Sequence, residues 1–379
     1  MRLDAFTERV MRKNKNNKSK LPLTISAQYG LVDQITFFNK VIASTDMSNY
    51  YLLKKGEFAY NKSYSSDYPW GAIKRLDNYE RGALSSLYIC FAPQDNVVSD
   101  FILQYFESPK WHKGVSEIAV EGARNHGLLN VSVQDFFHTY HYVPKDKKEQ
   151  IKIAKLLMLL DERIATQSKI IDKLQSLIKG MEDNLLDNPL WKKTYLRSFM
   201  QFFPTNSLSW EQLSYKEGAI RNLHYGLIHG FQTRGINSAS LPMIKNEAVP
   251  KQYTLCQVGD VAFADASEDT GEIAKSVEFV DTIEGNTICA LHTIHGRDIK
   301  NRTVVGFKGF AFNSRYFHNQ IKRLAQGTKV FSITANNLSS CYVYLPDLET
   351  QKAIVNLLKT YEAKLLVSKR LLEHYEKQK

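Results

Sequence analysis

Residues 144–164 read PKDKKEQIKIAKLLMLLDERI, and from Ile153 onward apolar side chains recur in alternating steps of four and three residues as far as Leu185. This spacing is typical of a coiled-coil seam held over several heptads. Charged residues flank the seam, which favours an extended spacer helix over a helix in a domain core. The seam comprises Ile153, Leu157, Leu160, Ile164, Gln167, Ile171, Leu174, Ile178, Met181 and Leu185.

A second stripe repeats the first in the same phase, 201 residues further along the chain. Each stripe begins shortly after a proline, which is best tolerated at a helix start, and Gln150 and Gln351 occupy equivalent places. The pattern predicts helices over residues 149–187 and 350–379. The second seam comprises Ile354, Leu358, Tyr361, Leu365, Ser368, Leu372 and Tyr375.

Neither helix can bury its stripe alone, so the two are expected to pair as an antiparallel coiled coil about a pseudo-two-fold axis. Each seam has one polar interruption, Gln167 in the first and Ser368 in the second. We expect these two residues to face each other as a polar layer that fixes the register. A bundle buried within one globular domain is the alternative arrangement.

The segments before the two helices also repeat one another in order. Gly56–Tyr60 is echoed by Gly259–Phe263, and the other matched pairs are Tyr29–Val32 with Tyr225–Ile228, Glu121–Arg124 with Gln326–Lys329, and Tyr140–Pro144 with Tyr342–Pro346. Short runs rich in Val, Ile, Phe and Tyr indicate strands. The sequence therefore predicts an α+β protein with two similar mixed α/β domains separated by two long helices. The predicted boundaries are 1–143 and 190–345 for the domains, and 144–189 and 346–379 for the helices.

The net charge of +11 and the pI of about 9.2 are compatible with a polyanionic partner. The basic run Arg9–Lys20 fits a solvated terminus as well as it fits phosphate contact. No apolar stretch approaches the ~18–20 residues of a membrane helix. Four widely spaced cysteines form no disulfide framework, so a reduced, cytoplasmic protein without membrane contact is expected.

Together these features resemble the specificity subunits of type I restriction–modification systems. Residues 144–164 are similar to the central conserved region of that family, and residues 345–354, reading LPDLETQKAI, are similar to its distal conserved region. The first helix departs from the pattern by one extra residue between its proline and its glutamine. The opening segment also lacks the Trp-led start that Ser209–Leu213 supplies for the second domain.

The resemblance implies two target-recognition domains, each reading one half of a split double-stranded DNA sequence, with the helices setting the gap. It also implies docking of two methyltransferase (M) subunits and of restriction/motor (R) subunits. S-adenosylmethionine, ATP and magnesium are then expected on those partners, while this chain holds no cofactor and performs no catalysis. The residues expected to form the spacer or to dock partners are Gln150, Ile153, Leu157, Leu160, Gln167, Gln351, Ile354, Leu358, Leu365 and Ser368.

A search for catalytic motifs agrees with a non-catalytic role. The sequence has no GxxxxGK[ST] phosphate loop. Cys289, His292 and His295 could suggest zinc, but this spacing on one strand alternates faces and no fourth ligand is apparent, so no metal is expected. Pro346-Asp347 with Glu362 and Lys364 satisfies a loose PD-ExK nuclease pattern. A DNA nuclease and a structural coiled-coil tether are therefore the alternative functions.

DNA reading requires polar side chains on loops, where they can reach base edges and phosphates. The first candidates are the matched turns after Gly122 and Gly327, and the second are the loops that follow the Gly-acid strands. The remaining candidates precede the repeated Tyr-Gly turn. The full set is Arg124, Asn125, His126, Thr328, Lys329, Asn61, Lys62, Ser63, Ser267, Gln28 and His224.

Overall fold

The computed structural model describes residues 1–40, 42–119, 127–231, 235–236, 238–280 and 285–379. The chain divides into two compact units. The first unit comprises Met1–Ala165 with Tyr375–Lys379, and the second comprises Thr166–His374. Both units mix helices and strands, and two long helices run through them, so the predicted α+β class is confirmed. In the described part of the chain, no helix is both long enough and apolar enough to span a membrane.

The first unit contains two four-stranded sheets with strand orders β1-β8-β5-β6 and β3-β2-β7-β4. Its strands are β1 (Thr7–Arg9), β2 (Pro22–Ser26), β3 (Gly30–Asp33), β4 (Tyr51–Lys54), β5 (Phe58–Asn61), β6 (Ala72–Arg75), β7 (Arg81–Leu84) and β8 (Ile89–Pro93). Its short helices are α1 (Gln34–Phe38), α2 (Ser99–Glu107), α3 (His112–Ile118) and α4 (Val133–His138).

Two long helices follow the two halves of the chain: α5 (Lys147–Leu186) and α10 (Leu348–Gln378). Between them, the second unit has the sheet orders β10-β19-β15-β17-β13 and β11-β14-β12-β18 and the pairs β16-β20 and β21-β9. Its strands are β9 (Lys192–Tyr195), β10 (Met200–Phe203), β11 (Leu213–Ser214), β12 (Ile220–Leu223), β13 (Gly235–Ile236), β14 (Met243–Ile244), β15 (Val261–Ala264), β16 (Ala266–Ser267), β17 (Ser276–Phe279), β18 (Asn286–Cys289), β19 (Thr293–Asp298), β20 (Phe331–Ser332) and β21 (Tyr342–Leu345). Its short helices are α6 (Tyr225–Gly230), α7 (Phe307–Ala311), α8 (Arg315–Leu324) and α9 (Ala335–Ser340).

The two units share one sheet plan. The strand that follows the Gly-acid motif, β5 or β15, pairs antiparallel with β8 and β6 in one unit and with β19 and β17 in the other. In the second sheet of each unit, β2 runs parallel to β7 as β12 runs parallel to β18. The repeat seen in the sequence therefore corresponds to a repeated fold.

One motif that is repeated in the sequence has different secondary structure in the two units. Gly30–Asp33 forms the strand β3, whereas Tyr225–Gly230 forms the helix α6. The side chain of His224 caps this helix, because its Nδ1 accepts the backbone N–H of Gly226. The two segments nevertheless start from equivalent strands, β2 and β12. Similarity over these four residues marks equivalent places in the fold but does not determine the local secondary structure.

Aromatic side chains fill the core of each unit. In the first unit, Tyr60 stacks on Phe136 at 4.7 Å and Phe58 stacks on Phe91 at 5.4 Å between ring centroids. In the second unit, Phe263 lies 5.3 Å from Phe312. Each of these rings buries a large apolar area, and each pair gains a further ~0.5–1.5 kcal/mol from its geometry. The cores thereby hold the strand ends, and the loops that follow them, in fixed positions.

The long helices begin and end within two residues of the predicted bounds. The predicted first seam is buried or half-buried throughout, while exposed residues lie between its members. Within the second unit, Gln167 Nε2 donates to the backbone oxygen of Ser368 at 3.1 Å, and Leu186 shares a core with Ile354 and Leu358. Residues later in α5 therefore contact residues earlier in α10, as an antiparallel pair requires. Gln167 and Ser368 face each other as the sequence predicts.

Candidate nucleic-acid interface

In the second unit, two of the predicted DNA-reading segments lie side by side. Ser267 on β16 pairs with Phe331 on β20, and Gln326 forms an isolated bridge to Ser332. These pairings close a hairpin whose turn carries Thr328 and Lys329, both exposed. Sequence reasoning named Ser267 and this turn separately, and the fold brings them together at one end of the sheet.

Gly327 is required by the hairpin turn itself. Its φ is +127°, a region that side chains rarely adopt, and a Cβ there would lie 2.0 Å from the carbonyl oxygen of Val330. The structure gives it a role in shaping the turn that presents Lys329.

The first unit repeats this pairing. Ser63 bridges Leu128, and the backbone N–H of Tyr64 donates to the Gly127 oxygen at 3.0 Å. Asn61 is half-buried, and its side-chain oxygen accepts the N–H of Ser63 at 3.0 Å. Ser63 and Tyr64 are exposed. The predicted contacts Arg124, Asn125 and His126 lie outside the described residues, directly before this paired segment.

Lys62 is placed less favourably for DNA contact than its charge indicates. Its ammonium lies 3.4 Å from the carbonyl oxygen of Val131, a contact within its own unit, and the residue is half-buried. Two members of the basic run Arg9–Lys20 are similarly engaged within the unit. Arg12 donates to both carboxylate oxygens of Glu57 at 2.7 Å, and Lys13 donates to the Asn49 oxygen at 2.8 Å.

The remaining predicted pair occupies the loops after β2 and β12. Gln28 and Tyr29 are exposed at the tip of the β2–β3 hairpin. His224, in contrast, is 3% exposed and lies between two rings, with Trp210 at 4.4 Å and Tyr225 at 4.7 Å. Burial and nearby His292 lower the pKa of His224. Because its Nδ1 accepts a backbone N–H, the neutral ring carries its proton on Nε2.

Sequence reasoning missed Trp210, His292 and Asp265, which extend this cluster. Tyr225 packs edge-on against His292 at 5.3 Å, and His292 Nδ1 lies 3.2 Å from a carboxylate oxygen of Asp265. Burial raises the pKa of Asp265, and contact with His292 only partly offsets this. His292 also has a φ of +55°, an uncommon conformation for a residue other than glycine. Asp265 precedes β16, so the aromatic cluster adjoins the Ser267 hairpin.

At the opposite end of each unit, a buried glutamine joins the domain to its long helix. Gln150 is 1% exposed, accepts the N–H of Val98 at 2.7 Å and donates to the Pro144 oxygen at 2.7 Å. Gln351 is 0% exposed, accepts the N–H of Val304 at 3.0 Å and donates to the Arg302 and Pro346 oxygens, each at 3.0 Å. The equivalence of the two glutamines, first seen in the sequence, is thus an equivalence of contacts.

The nuclease-like residues do not converge. Asp347 caps α10, because its carboxylate accepts the backbone N–H and the hydroxyl of Thr350 at 2.9 and 2.8 Å. Glu362 and Lys364 lie further along the same helix. At 1.5 Å per residue, Glu362 is roughly 22 Å from the helix start. These side chains therefore cannot share one metal ion.

Each of the two like-folded units has paired loops at one end and, at the other end, a buried glutamine that joins it to a long helix. Residues 282–376 match the family model of the type I restriction modification DNA specificity domain. This part of the chain is similar to that family. The resemblance to type I specificity subunits is confirmed.

Solved structures share the fold over the whole chain. A chain from the structure on complex assembly and conformational transition of the type I R-M system has 13% identity and a TM-score of 0.56, covering 100% of this chain and 93% of that chain. The type I restriction-modification system S subunit from M. genitalium has 13% identity and a TM-score of 0.55, covering 99% of this chain and 92% of that chain. No curated protein matches the sequence significantly.

Proposed function

We propose that this chain reads a bipartite DNA target, one half-site per unit, as the specificity subunit of a type I restriction–modification complex. The two long helices hold the reading units and set the gap between half-sites. The chain contributes recognition and positioning, and its methyltransferase and motor partners supply the chemistry. S-adenosylmethionine, ATP and magnesium then bind to those partners.

The observation that carries this proposal is the duplicated loop pairing. In each unit, the loop after the Gly-acid strand is hydrogen-bonded to the segment around a glycine turn, at Ser63–Leu128 and at Ser267–Phe331. Both pairings expose short polar or cationic side chains on a rigid sheet end. Such side chains can read base edges in the major groove, while neighbouring cations hold phosphates.

Methylation mapping tests the whole proposal. The chain is co-expressed with its genomically neighbouring methyltransferase subunits in a host free of adenine methylation, and methylated adenines are mapped. A split motif with a fixed internal gap is expected. Adenine methylation that is absent, or that falls on a single uninterrupted motif, would contradict two independent reading units.

A pair of lysine variants tests the interface. Lys329→Ala removes a charge from the exposed hairpin turn, and Lys300→Ala removes the same charge just beyond the far end of β19, a strand roughly 20 Å long. If Lys329 contacts a base, its loss costs ~1–3 kcal/mol and relaxes one position of the half-site. If it contacts phosphate, the salt slope falls by about 1. Lys300→Ala is expected to bind DNA as the parent does, and equal losses in both variants would place the interface elsewhere.

The docking face for a methyltransferase subunit is proposed on α5 beside the first unit. The seam residues predicted for docking are half-buried on this stretch, whereas Ile151, Met158 and Leu159 are 52%, 43% and 47% exposed. Ile151 and Met158 line a depression with Val98. An apolar surface of this kind on a helix marks a protein contact.

Leu159→Glu is expected to abolish co-purification with the methyltransferase subunits, because Leu159 lines this depression. Leu177→Glu is the matched control, because Leu177 is 45% exposed on the same helix roughly 27 Å further along. Retention of the partner by the Leu159 variant would remove this face from the proposal. Loss in both variants would indicate damage to the helix itself.

A further inference from the structure

Three metal-ligating side chains meet in the interior of the second unit. Cys256, Cys289 and His295 each offer a ligand atom within 4.8 Å of the other two, and the two sulfur atoms are 3.5 Å apart. These residues are 6%, 3% and 1% exposed. Thiols and imidazole brought together from distant parts of a chain are the donor set that zinc prefers.

The fold explains why the sequence argument did not find this set. It treated Cys289, His292 and His295 as one strand with alternating faces. In the structure Cys289 ends β18 and His295 lies within β19, and the chain reverses between them with His292 at φ +55°. Cys256 joins them because its backbone N–H donates to the Thr287 oxygen of β18 at 2.8 Å.

The histidine is held in one orientation by a carboxylate. His295 Nε2 lies 2.7 Å from Asp260, which also accepts Arg297 through both carboxylate oxygens at 2.7 and 2.8 Å. Metal-ligating histidines almost always bond a carboxylate, a carbonyl or water through their other nitrogen. Asp260 and Arg297 neutralise each other, so two thiolates are left to balance a divalent cation.

The first unit provides an internal comparison. Glu57 takes the place of Asp260, and one guanidinium nitrogen of Arg12 donates to both of its carboxylate oxygens, where Arg297 uses two nitrogens. Cys90 pairs with Ala59 on the neighbouring strand as His295 pairs with Ala262. The carboxylate–guanidinium pair thus belongs to the shared fold. The three-ligand set is an addition in the second unit, since Cys90 is the one cysteine of the first unit.

We propose that Cys256, Cys289 and His295 bind one Zn²⁺ ion that fastens the two sheets of the second unit together. Cys289 belongs to the β11-β14-β12-β18 sheet and His295 to the β10-β19-β15-β17-β13 sheet, so the ion cross-links them. With Zn–S bonds of ~2.3 Å, tetrahedral sulfur ligands lie ~3.8 Å apart, which is close to the spacing present. Binding releases the two thiol protons, and water takes the fourth position.

Metal binding by the reduced, full-length chain tests the proposal directly. After chelator treatment and desalting, the chain is given Zn²⁺ or Co²⁺. One equivalent of zinc per chain is expected, as is a cobalt spectrum with thiolate charge-transfer absorption. Cys256→Ser and Cys289→Ser are each expected to weaken metal binding at least tenfold. Cys90→Ser and Cys341→Ser, which change buried thiols away from the site, are expected to bind as the parent does.

Several results would overturn the zinc site. One is a wild-type chain that retains no zinc and gives no thiolate–cobalt absorption, a measurement that needs no variant to fold. Another is unchanged stoichiometry in both Cys256→Ser and Cys289→Ser. A disulfide between Cys256 and Cys289 in protein purified under reducing conditions would also overturn it. None of these outcomes bears on DNA reading, so the two proposals fail independently.

Discussion

Gln351→Ala is expected to weaken the second unit at the point where it joins α10. The side chain is fully buried and makes three hydrogen bonds, to Val304, Arg302 and Pro346. Each bond contributes about 0.5–1.5 kcal/mol net, and the buried backbone groups lose their partner when the amide is removed. The slightly better helix propensity of alanine offsets a few tenths of this. The free energy of unfolding is therefore expected to fall by about 2–4 kcal/mol.

Urea unfolding followed by tryptophan fluorescence measures this loss. Trp191 is a suitable reporter because it packs against the core that contains Ile354 of the same helix. Asn356→Ala is the matched control, since Asn356 is exposed on α10, and it is expected to stay within ~0.5 kcal/mol of the parent. If the free energy of unfolding of Gln351→Ala stays within 1 kcal/mol of the parent, this glutamine does not hold the second unit to α10.

Two further perturbations test other parts of the fold. Burial first, and the Met1 amino group second, lower the pKa of His141 from 6.5 to about 4. As the pH falls, His141 is therefore protonated more readily in the unfolded chain than in the folded one. The stabilisation that neutral His141 gives the folded state, at most ~3 kcal/mol, is present above pH 6.5 and is lost as the pH falls to about 4. Urea midpoints across this range are expected to show that loss in the parent, and a His141→Gln variant with an unchanged pH slope would argue against it. Gln167→Leu replaces the polar layer with an apolar one. The free energy of unfolding is expected to rise by about 1 kcal/mol, since polar seam residues reduce the stability of a coiled coil. A fall in the urea midpoint would show that the hydrogen bond to Ser368 outweighs that loss.

The long helices could be predicted from the sequence because their signal is local and repeated. A stripe in steps of four and three residues fixes the helix, its buried face and the pairing phase at once, and Gln167 and Ser368 met as that phase requires. The two glutamines that join each domain to its long helix could be found for the same reason, because Gln150 and Gln351 occupy equivalent positions in the repeated pattern. The family resemblance rested on these same residues.

The local conformation of the loops could not be predicted in the same way. The Tyr-Gly motif forms a strand at Gly30 and a helix at Tyr225, since neighbouring contacts decide between them. Lys62 was selected for its charge, yet its ammonium contacts the Val131 oxygen. The cluster of Cys256, Cys289 and His295 depends on strand pairing and a chain reversal, neither of which leaves a pattern in the sequence.

The strand direction within each unit explains how a recognition loop can vary without disturbing the helix joint. In the second unit, β19 begins at Thr293, opposite Ala264 and beside the hairpin whose turn carries Lys329. It ends at Asp298, near the loop that Gln351 binds. Its six residues separate the two functions by roughly 20 Å. In the first unit, β8 starts opposite Tyr60 at the loop end and leads toward Val98, the partner of Gln150. If the loops read DNA as proposed, substitutions there are expected to change the bases that are read, whereas substitutions at Gln150 or Gln351 are expected to change the geometry between domain and helix.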